Sequence, residues 1–298
     1  MPNNRDWHFV GQGAISSFCA VNVLPNHAVT VLTRRSSVSE KTFIDLQGQQ
    51  IRLPLPRRLR NDETINNLVV AVKAYDIVNA IADVLGSLAD DANVVLCHNG
   101  MGTIPDVLEL LQVKPNRNVY FCTTSSGVNH QGNNIILAAI GQSQWQSIVT
   151  HSPHSALNIN DFKSLFLVAE QAEELPTILW QKLIINCAIN PLTAINRVTN
   201  GELAAQTFQQ QLNTIVEEVI NVARFDGVDF DLNAMIDLVN SVIKSTAKNY
   251  SSMYQDLTNN RKTEIDFING YVCKLANQYK IDVPVNQALV RQIQKLGG

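Results

Sequence analysis

The sequence predicts an α/β chain, with an N-terminal domain built on a parallel sheet followed by an all-helical C-terminal domain. Three observations predict this. Short, almost wholly apolar runs alternate with helical patterns as far as Cys122, as parallel strands covered on both faces do. A glycine turn stands where the first run meets its helix. From about Gln171 the strand pattern stops and long helical runs take over. A length of 298 residues suits two domains, which we place at 1–168 and 169–298.

The elements follow in order. Residues 7–10 read as a strand, 11–13 as the glycine turn, 14–24 as a helix and 28–32 as a second strand. Residues 67–72 form a third strand, nearly all apolar. Residues 75–88 read as one helix, with Ile77, Ile81, Val84, Leu85 and Leu88 on one stripe. Residues 94–97 and 119–122 are the fourth and fifth strands, with a helix at 103–111 between them. Beyond Ser125, Gly127, Gly132 and Gly141 punctuate short β-like runs such as 135–138, expected to complete the sheet as hairpin or edge strands. Residues 151–160 are polar and carry Pro153, and 165–168 read as a last strand. Helices are then expected at 179–195, 203–225, 232–248, 264–279 and 286–295, with Pro284 where the last can begin.

Composition narrows the function. Apolar residues make up 45% of the chain, too many for a disordered one. Lys+Arg 23 against Asp+Glu 26 leaves a net charge of -3, with no basic field for nucleic acid or anionic lipid. Cys19, Cys97, Cys122, Cys187 and Cys273 are scattered, so neither a disulfide framework nor a metal site is expected, and a reducing cytoplasm suits them. The apolar runs look shorter than the ~20 residues of a membrane span. The first residues carry no signal-peptide pattern.

The glycine turn reads Gly11-Gln12-Gly13-Ala14-Ile15-Ser16. Its first glycine permits a tight turn, and its second lets backbone approach a pyrophosphate over the helix N-terminus. Ser16 stands at the third fingerprint position. The second strand ends in Thr33-Arg34-Arg35, with no acid before Glu40. An acid there would bind a ribose hydroxyl, whereas an arginine fork binds a 2′-phosphate, so the pattern favours NADPH over NADH. Lys73 and His98-Asn99-Gly100-Met101-Gly102 close two further strands, the ends at which ligands of such sheets bind. Gly100 and Gly102 would let backbone come close to a ligand.

In the helical half, Lys182, Asn186 and Asn190 recur every four residues and share one helix face among apolar neighbours. Buried polar groups need partners, which points to a cleft wall or to a polar patch that joins domains. Pro191 follows and either kinks or ends the helix. A second cluster runs from Ser251 to Asp256 and from Arg261 to Tyr271; Thr263 is a candidate cap, with Glu264 in the first turn after it.

Four segments together resemble the ketopantoate reductases, the 2-dehydropantoate 2-reductases: the glycine turn, 98–102, 182–203 and 251–270. The resemblance spans most of the chain. It implies a Rossmann-type NADP-binding domain and a helical substrate domain. It also implies NADPH-dependent reduction of 2-dehydropantoate to (R)-pantoate, on the route to pantothenate and coenzyme A. By the family pattern Lys182 is catalytic, and Glu264 binds substrate and orients the lysine. Asn186, Asn190, Ser252 and Asn99 contact substrate. Gly11, Gln12, Gly13, Ala14, Ile15, Lys73 and Asn99 hold the cofactor. Arg34, or Arg35 with a different gap, reads its 2′-phosphate. Asp256 matches an acid that is mainly structural. Departures are Ser16, a looser stretch at 122–127 and a poorly matched one at 141–154. The alternatives are an NADP-dependent reductase of another small 2-keto or 3-hydroxy acid, or a non-catalytic protein that keeps the NADP pocket. The partner expected is a small keto acid, with the chain a monomer or homodimer.

Overall fold

The computed structural model describes residues 5–34, 39–112 and 116–297. The elements are β1 (Asp6–Val10), α1 (Ala14–Val23), β2 (Ala28–Leu32), β3 (Thr42–Ile44), β4 (Gln50–Arg52), β5 (Ile65–Val70), α2 (Ile77–Ala82), β6 (Leu88–Leu96), α3 (Ile104–Leu111), β7 (Asn118–Thr124), β8 (Gly127–Gln131), β9 (Asn134–Ala139), β10 (Ser143–Val149), α4 (Ile159–Phe166) and β11 (Ala169–Gln171). Helices alone come after these: α5 (Leu175–Asn196), α6 (Gln206–Phe225), α7 (Leu232–Ser245), α8 (Ser252–Thr258), α9 (Asn269–Tyr279) and α10 (Pro284–Lys295). The chain divides into two compact units, 1–98 with 103–173, and 99–102 with 174–298.

In the first unit a seven-stranded sheet runs β11-β10-β7-β6-β5-β1-β2. The strands from β2 through β7 are parallel, and β10 is antiparallel to β7. The central strands β5 and β7 are buried almost throughout, which is why they read as unbroken apolar runs. The chain order reverses between β1 and β5, with β2 beyond β1 and β6 beyond β5. That switch point is where such sheets bind ligands, and the glycine turn leaves β1 there. At the opposite strand ends, Asn67, Asn93 and Asn118 sit side by side in register. Asn93 donates to Asn67 at 2.9 Å and Asn118 to Asn93 at 3.0 Å. Asn118 in turn accepts from the backbone of His151 and Ser152, tying the polar 151–160 stretch to the sheet.

Three expectations need correction here. The stretch 75–88 is not one helix. A 3-10 turn, the short α2 and a second 3-10 turn fill it, and Leu88 already belongs to β6. Of its apolar stripe, Ile77, Ile81, Val84 and Leu88 are buried across these pieces, and Leu85 is half-buried. Leu165 and Phe166 end α4 rather than forming a strand: Asn158 and Asp161 make a capping box, and the helix stops at Leu167 in the positive-φ region. Trp145 stacks on Phe162 at 3.9 Å and packs α4 onto the sheet. Finally, β8 and β9 do not extend the main sheet. They join β3 and β4, which the sequence did not announce, in a separate four-stranded sheet; β10, with β11 at its edge, completes the main one.

In the helical unit α5 packs against α6, α7, α8 and α10. It is long and apolar enough to cross a bilayer, against the expectation of short apolar runs. Yet 67% of that apolar window is buried inside the protein, as the core helix of a unit requires. Each large apolar side chain so buried contributes about 1.5–3 kcal/mol.

Candidate functional site

The first candidate region is the glycine turn. Gly11 adopts φ +81, which needs glycine, and its N–H donates to the Leu32 carbonyl at 2.8 Å. Ser16 replaces the third glycine without harm to packing. It is buried, and its hydroxyl donates back to the Gly11 carbonyl at 2.8 Å. Lys41 Nζ donates to the next carbonyl, that of Gln12, at 3.0 Å. A trans peptide sets its C=O and N–H on opposite sides. Fixing these two carbonyls therefore turns the N–H groups of Gln12 and Gly13 the other way, as an anion-binding nest requires. The N-terminus of α1 has no side-chain cap and no acid in its first turn. Gln12 Nε2 is a buried donor without an acceptor among the described residues. A dinucleotide pyrophosphate fits this donor set: Gln12, Gly13, Ala14 and Ile15 supply backbone N–H groups, Gly11 supplies the turn that presents them, and one side-chain donor waits for an acceptor.

Arg34 and Lys73 follow the carboxyl ends of β2 and β5, in the same sheet edge as the turn. The Arg34 guanidinium pairs with Asp83 at 3.1 Å and Asp76 at 3.8 Å and is largely exposed. Arg35 lies outside the described residues. Lys73 is half-buried and opens the 3-10 turn after β5. His98 is buried, bonded to Thr103 Oγ1 at 2.8 Å and edge-on to Phe121, a structural use of the ring.

The second region lies in the helical unit. Lys182, Asn186 and Asn190 stand one turn apart on α5; the first two are half-buried and the third is buried. The helix does not end at Pro191 but runs on to Asn196. Thr193 Oγ1 donates to Ser251 Oγ at 2.7 Å, and Ser251 caps α8 by accepting from the Tyr254 N–H at 3.1 Å. The latch also brings Ser251 Oγ to 3.5 Å from the Asn190 carbonyl, and Ser252, the next residue, is exposed at the start of α8. The sequence assigned neither Thr193 nor Ser251 a role, since a hydroxyl is a hydroxyl until its partner is known.

Glu264 is 4% exposed. Its carboxylate accepts from Asn99 Nδ2 at 3.5 Å. It precedes a 3-10 turn, Ile265–Phe267, and α9 begins only at Asn269, so the expected continuous helix 264–279 is broken at Ile268. Thr263 Oγ1 accepts from the Ile265 N–H at 3.4 Å, just ahead of that turn, and caps neither it nor α9. Gly100 has φ +77, and a Cβ there would collide with the Phe267 carbonyl, which also accepts from the Met101 N–H at 2.8 Å. The close approach that the sequence assigned to a ligand is made by the chain itself. Asp256 is buried against Arg261 at 3.2 Å and holds a turn, as its structural reading requires. The 200–203 stretch is structural too: Glu202 and Thr199 form a capping box, and Gly201 lies against Ala247. No group of three metal-ligating side chains occurs among the described residues.

Comparison with known proteins gives this arrangement its relatives. The family model described as ketopantoate reductase PanE/ApbA matches residues 7–149, and its C-terminal counterpart matches residues 174–297. A Vibrio cholerae protein named 2-dehydropantoate 2-reductase is 32% identical over 292 residues, 96% of each chain. One from Pyrobaculum aerophilum with the same name is 29% identical, covering 96% of this chain and 95% of its own. Among solved structures, a D-mandelate dehydrogenase with NADH and anilino(oxo)acetate superposes with a TM-score of 0.88 at 20% identity, over 98% of both chains. A dimeric ketopantoate reductase from Staphylococcus aureus gives 0.80 at 18%, over 98% of this chain and 99% of that one. At those identities the likeness is one of fold.

Proposed function

The chain belongs to the ketopantoate reductase family, and from that premise we propose how its residues divide the work. It is an oxidoreductase that reduces 2-dehydropantoate to (R)-pantoate with a reduced nicotinamide dinucleotide, in the biosynthesis of pantothenate and coenzyme A. The domain comprising 1–168 binds the dinucleotide, and that comprising 169–298 carries substrate and catalytic groups. The observation that carries the assignment is the helical unit's chemistry: a lysine and two asparagines on one face of α5, and a buried glutamate held by Asn99.

A bound dinucleotide would supply the hydride, and reduction of the ketone would leave negative charge on its oxygen. The Lys182 ammonium stabilises that charge and donates the proton. Glu264 orients the lysine and binds the substrate, and its own rotamer is restrained by burial and by the Asn99 amide. Asn186, Asn190 and Ser252 bond the substrate's carboxylate and hydroxyl oxygens. Asn99 and Lys73 serve beside the nicotinamide. Gly11, Gln12, Gly13, Ala14 and Ile15 take the pyrophosphate.

NADPH is the cofactor in this reading, with Arg34 on the 2′-phosphate. Its bridges to Asp76 and Asp83 are surface pairs of small worth, which a doubly charged phosphate can displace. The five free cysteines suit a cytoplasmic enzyme, and the active species is a monomer or homodimer. The test is reduction of 2-dehydropantoate by the purified protein with NADPH and, in parallel, NADH, beside a panel of other 2-keto acids. Turnover selective for 2-dehydropantoate and NADPH is expected. Arg34→Ala should raise the KM for NADPH about tenfold or more and leave that for NADH unchanged. Faster turnover of another keto acid would move the substrate, and equal use of both cofactors would remove Arg34 from its role.

A further inference from the structure

The interior proline of α5 leaves a hydrogen bond missing in the middle of the functional face. Pro191 has no N–H for the carbonyl four residues back, and its ring presses on that carbonyl. The carbonyl belongs to Cys187, between Asn186 and Asn190. Cys187 is fully buried, so water is no remedy, and an orphaned acceptor there is costly. The donor comes from elsewhere in the helical unit: Asn269 Nδ2, at the first residue of α9, reaches the Cys187 carbonyl at 3.1 Å.

The orientation of that amide is determined from a distance. Asn269 Nδ2 also donates to Asn286 Oδ1 at 2.9 Å. Asn286 Nδ2 donates to Glu218 Oε2 at 2.7 Å. The Glu218 carboxylate, an acceptor on both oxygens, also receives the backbone N–H groups of Val285 and Asn286, each at 2.9 Å, in the first turn of α10. Glu218 thus turns the Asn286 amide nitrogen toward itself and the Asn286 oxygen toward Asn269. Asn269 then faces two oxygens and must offer its NH2 to both. Glu218, Asn269 and Asn286 are all buried.

We propose that Asn269 is a positioning residue for the reaction. It returns to α5 the hydrogen bond that Pro191 deletes, oriented by Glu218 through Asn286, and so keeps the Lys182–Asn186 turns aligned with Asn190, which lies inside the 187–191 gap. This rests on the roles proposed for Lys182, Asn186 and Asn190 in the reaction. Without the Asn269 amide the helix is free to bend between 187 and 191, and the three side chains no longer address one substrate together.

The test is a double-mutant cycle in the full-length protein, because Pro191→Ala supplies the missing backbone N–H directly. Asn269→Ala should lower kcat about tenfold with 2-dehydropantoate and leave the Kd for NADPH within about twofold. In the Pro191→Ala background the same substitution should change kcat less than about threefold. Asn269→Leu, which keeps the volume and removes the amide, should behave as Asn269→Ala does and guards against a cavity effect. An equal loss of kcat in both backgrounds overturns the inference, as does a fall in Tm with kcat intact. A wild-type protein inactive on 2-dehydropantoate would instead sink the underlying assignment, and the inference with it; an active wild type without the coupling breaks the inference alone.

Discussion

The glycine turn and α5 each present functional groups at a break in regular structure, and they are held in opposite ways. At the turn the holding groups are near in sequence. Ser16 lies five residues from Gly11, and Lys41 lies 29 from Gln12. On α5 they come from far along the chain: Ser251 is 58 residues from Thr193, and Asn269 is 82 from Cys187. A turn of two glycines is short enough to be locked by residues just beyond it. A buried helix with an interior proline must be repaired by its neighbours. On the proposed roles, the difference makes chemistry on α5 depend on the packing of the whole helical unit, and dinucleotide affinity depend on a local lock.

The largest effect expected belongs to α5 itself. Lys182→Ala should lower kcat by ~10²–10⁴-fold, the usual contribution of one acid–base group. Steady-state turnover with saturating NADPH measures it, and a rate within about threefold of wild type would remove the lysine from the chemistry.

A smaller effect tests the local lock. Ser16→Ala and Lys41→Met should each weaken dinucleotide binding about threefold to tenfold by freeing a turn carbonyl. NADH and NADPH share the pyrophosphate, so both should weaken alike in a fluorescence titration. A loss confined to NADPH would show that Lys41 reads the 2′-phosphate instead.

The smallest effect concerns the strand that leads into the turn. His8 on β1 bonds Glu63 at 3.0 Å, and Arg57 Nη1 bonds the other Glu63 oxygen at 2.7 Å. The Arg57 guanidinium, and after it the His8 ring, holds the Glu63 carboxyl well below the usual carboxylate range. A folded pKa below the unfolded value of ~4.3 adds stability that is complete above that value and is lost progressively as pH falls from it toward the folded pKa. Wild-type Tm should therefore drop more steeply than that of Glu63→Gln as pH falls below about 5. Parallel curves would mean that the triad adds nothing.

The residues differ in how plainly sequence announced them. The glycine turn was legible because strand, glycines and helix are contiguous. The alignment of Lys182, Asn186 and Asn190 was legible because helical periodicity puts every fourth residue on one face. Ser16 looked like a defect, since its use depends on a carbonyl that only the folded turn presents. Gly100 looked like room for a ligand, since nothing local says that Phe267 will lie over it. Asn269, Asn286 and Glu218 looked like ordinary polar residues of three separate helices. Asp256 was read as structural from the family pattern, and its bridge to Arg261 shows the turn it supports.

By itself, then, the amino-acid order determined the alternation of strands and helices, the change to an all-helical second half, the glycine turn and the polar face of α5. Each of these comes from periodicity or backbone geometry over a few adjacent residues. Only the tertiary structure decided that residues 75–88 break into short pieces, that Leu165 and Phe166 end a helix, that β9, with β8 beside it, pairs with β3 rather than with the main sheet, and that a distant asparagine completes α5. The physical reason is common to all four. Local preferences there are nearly balanced, and the balance is tipped by burial and hydrogen bonds to partners that adjacent residues do not specify.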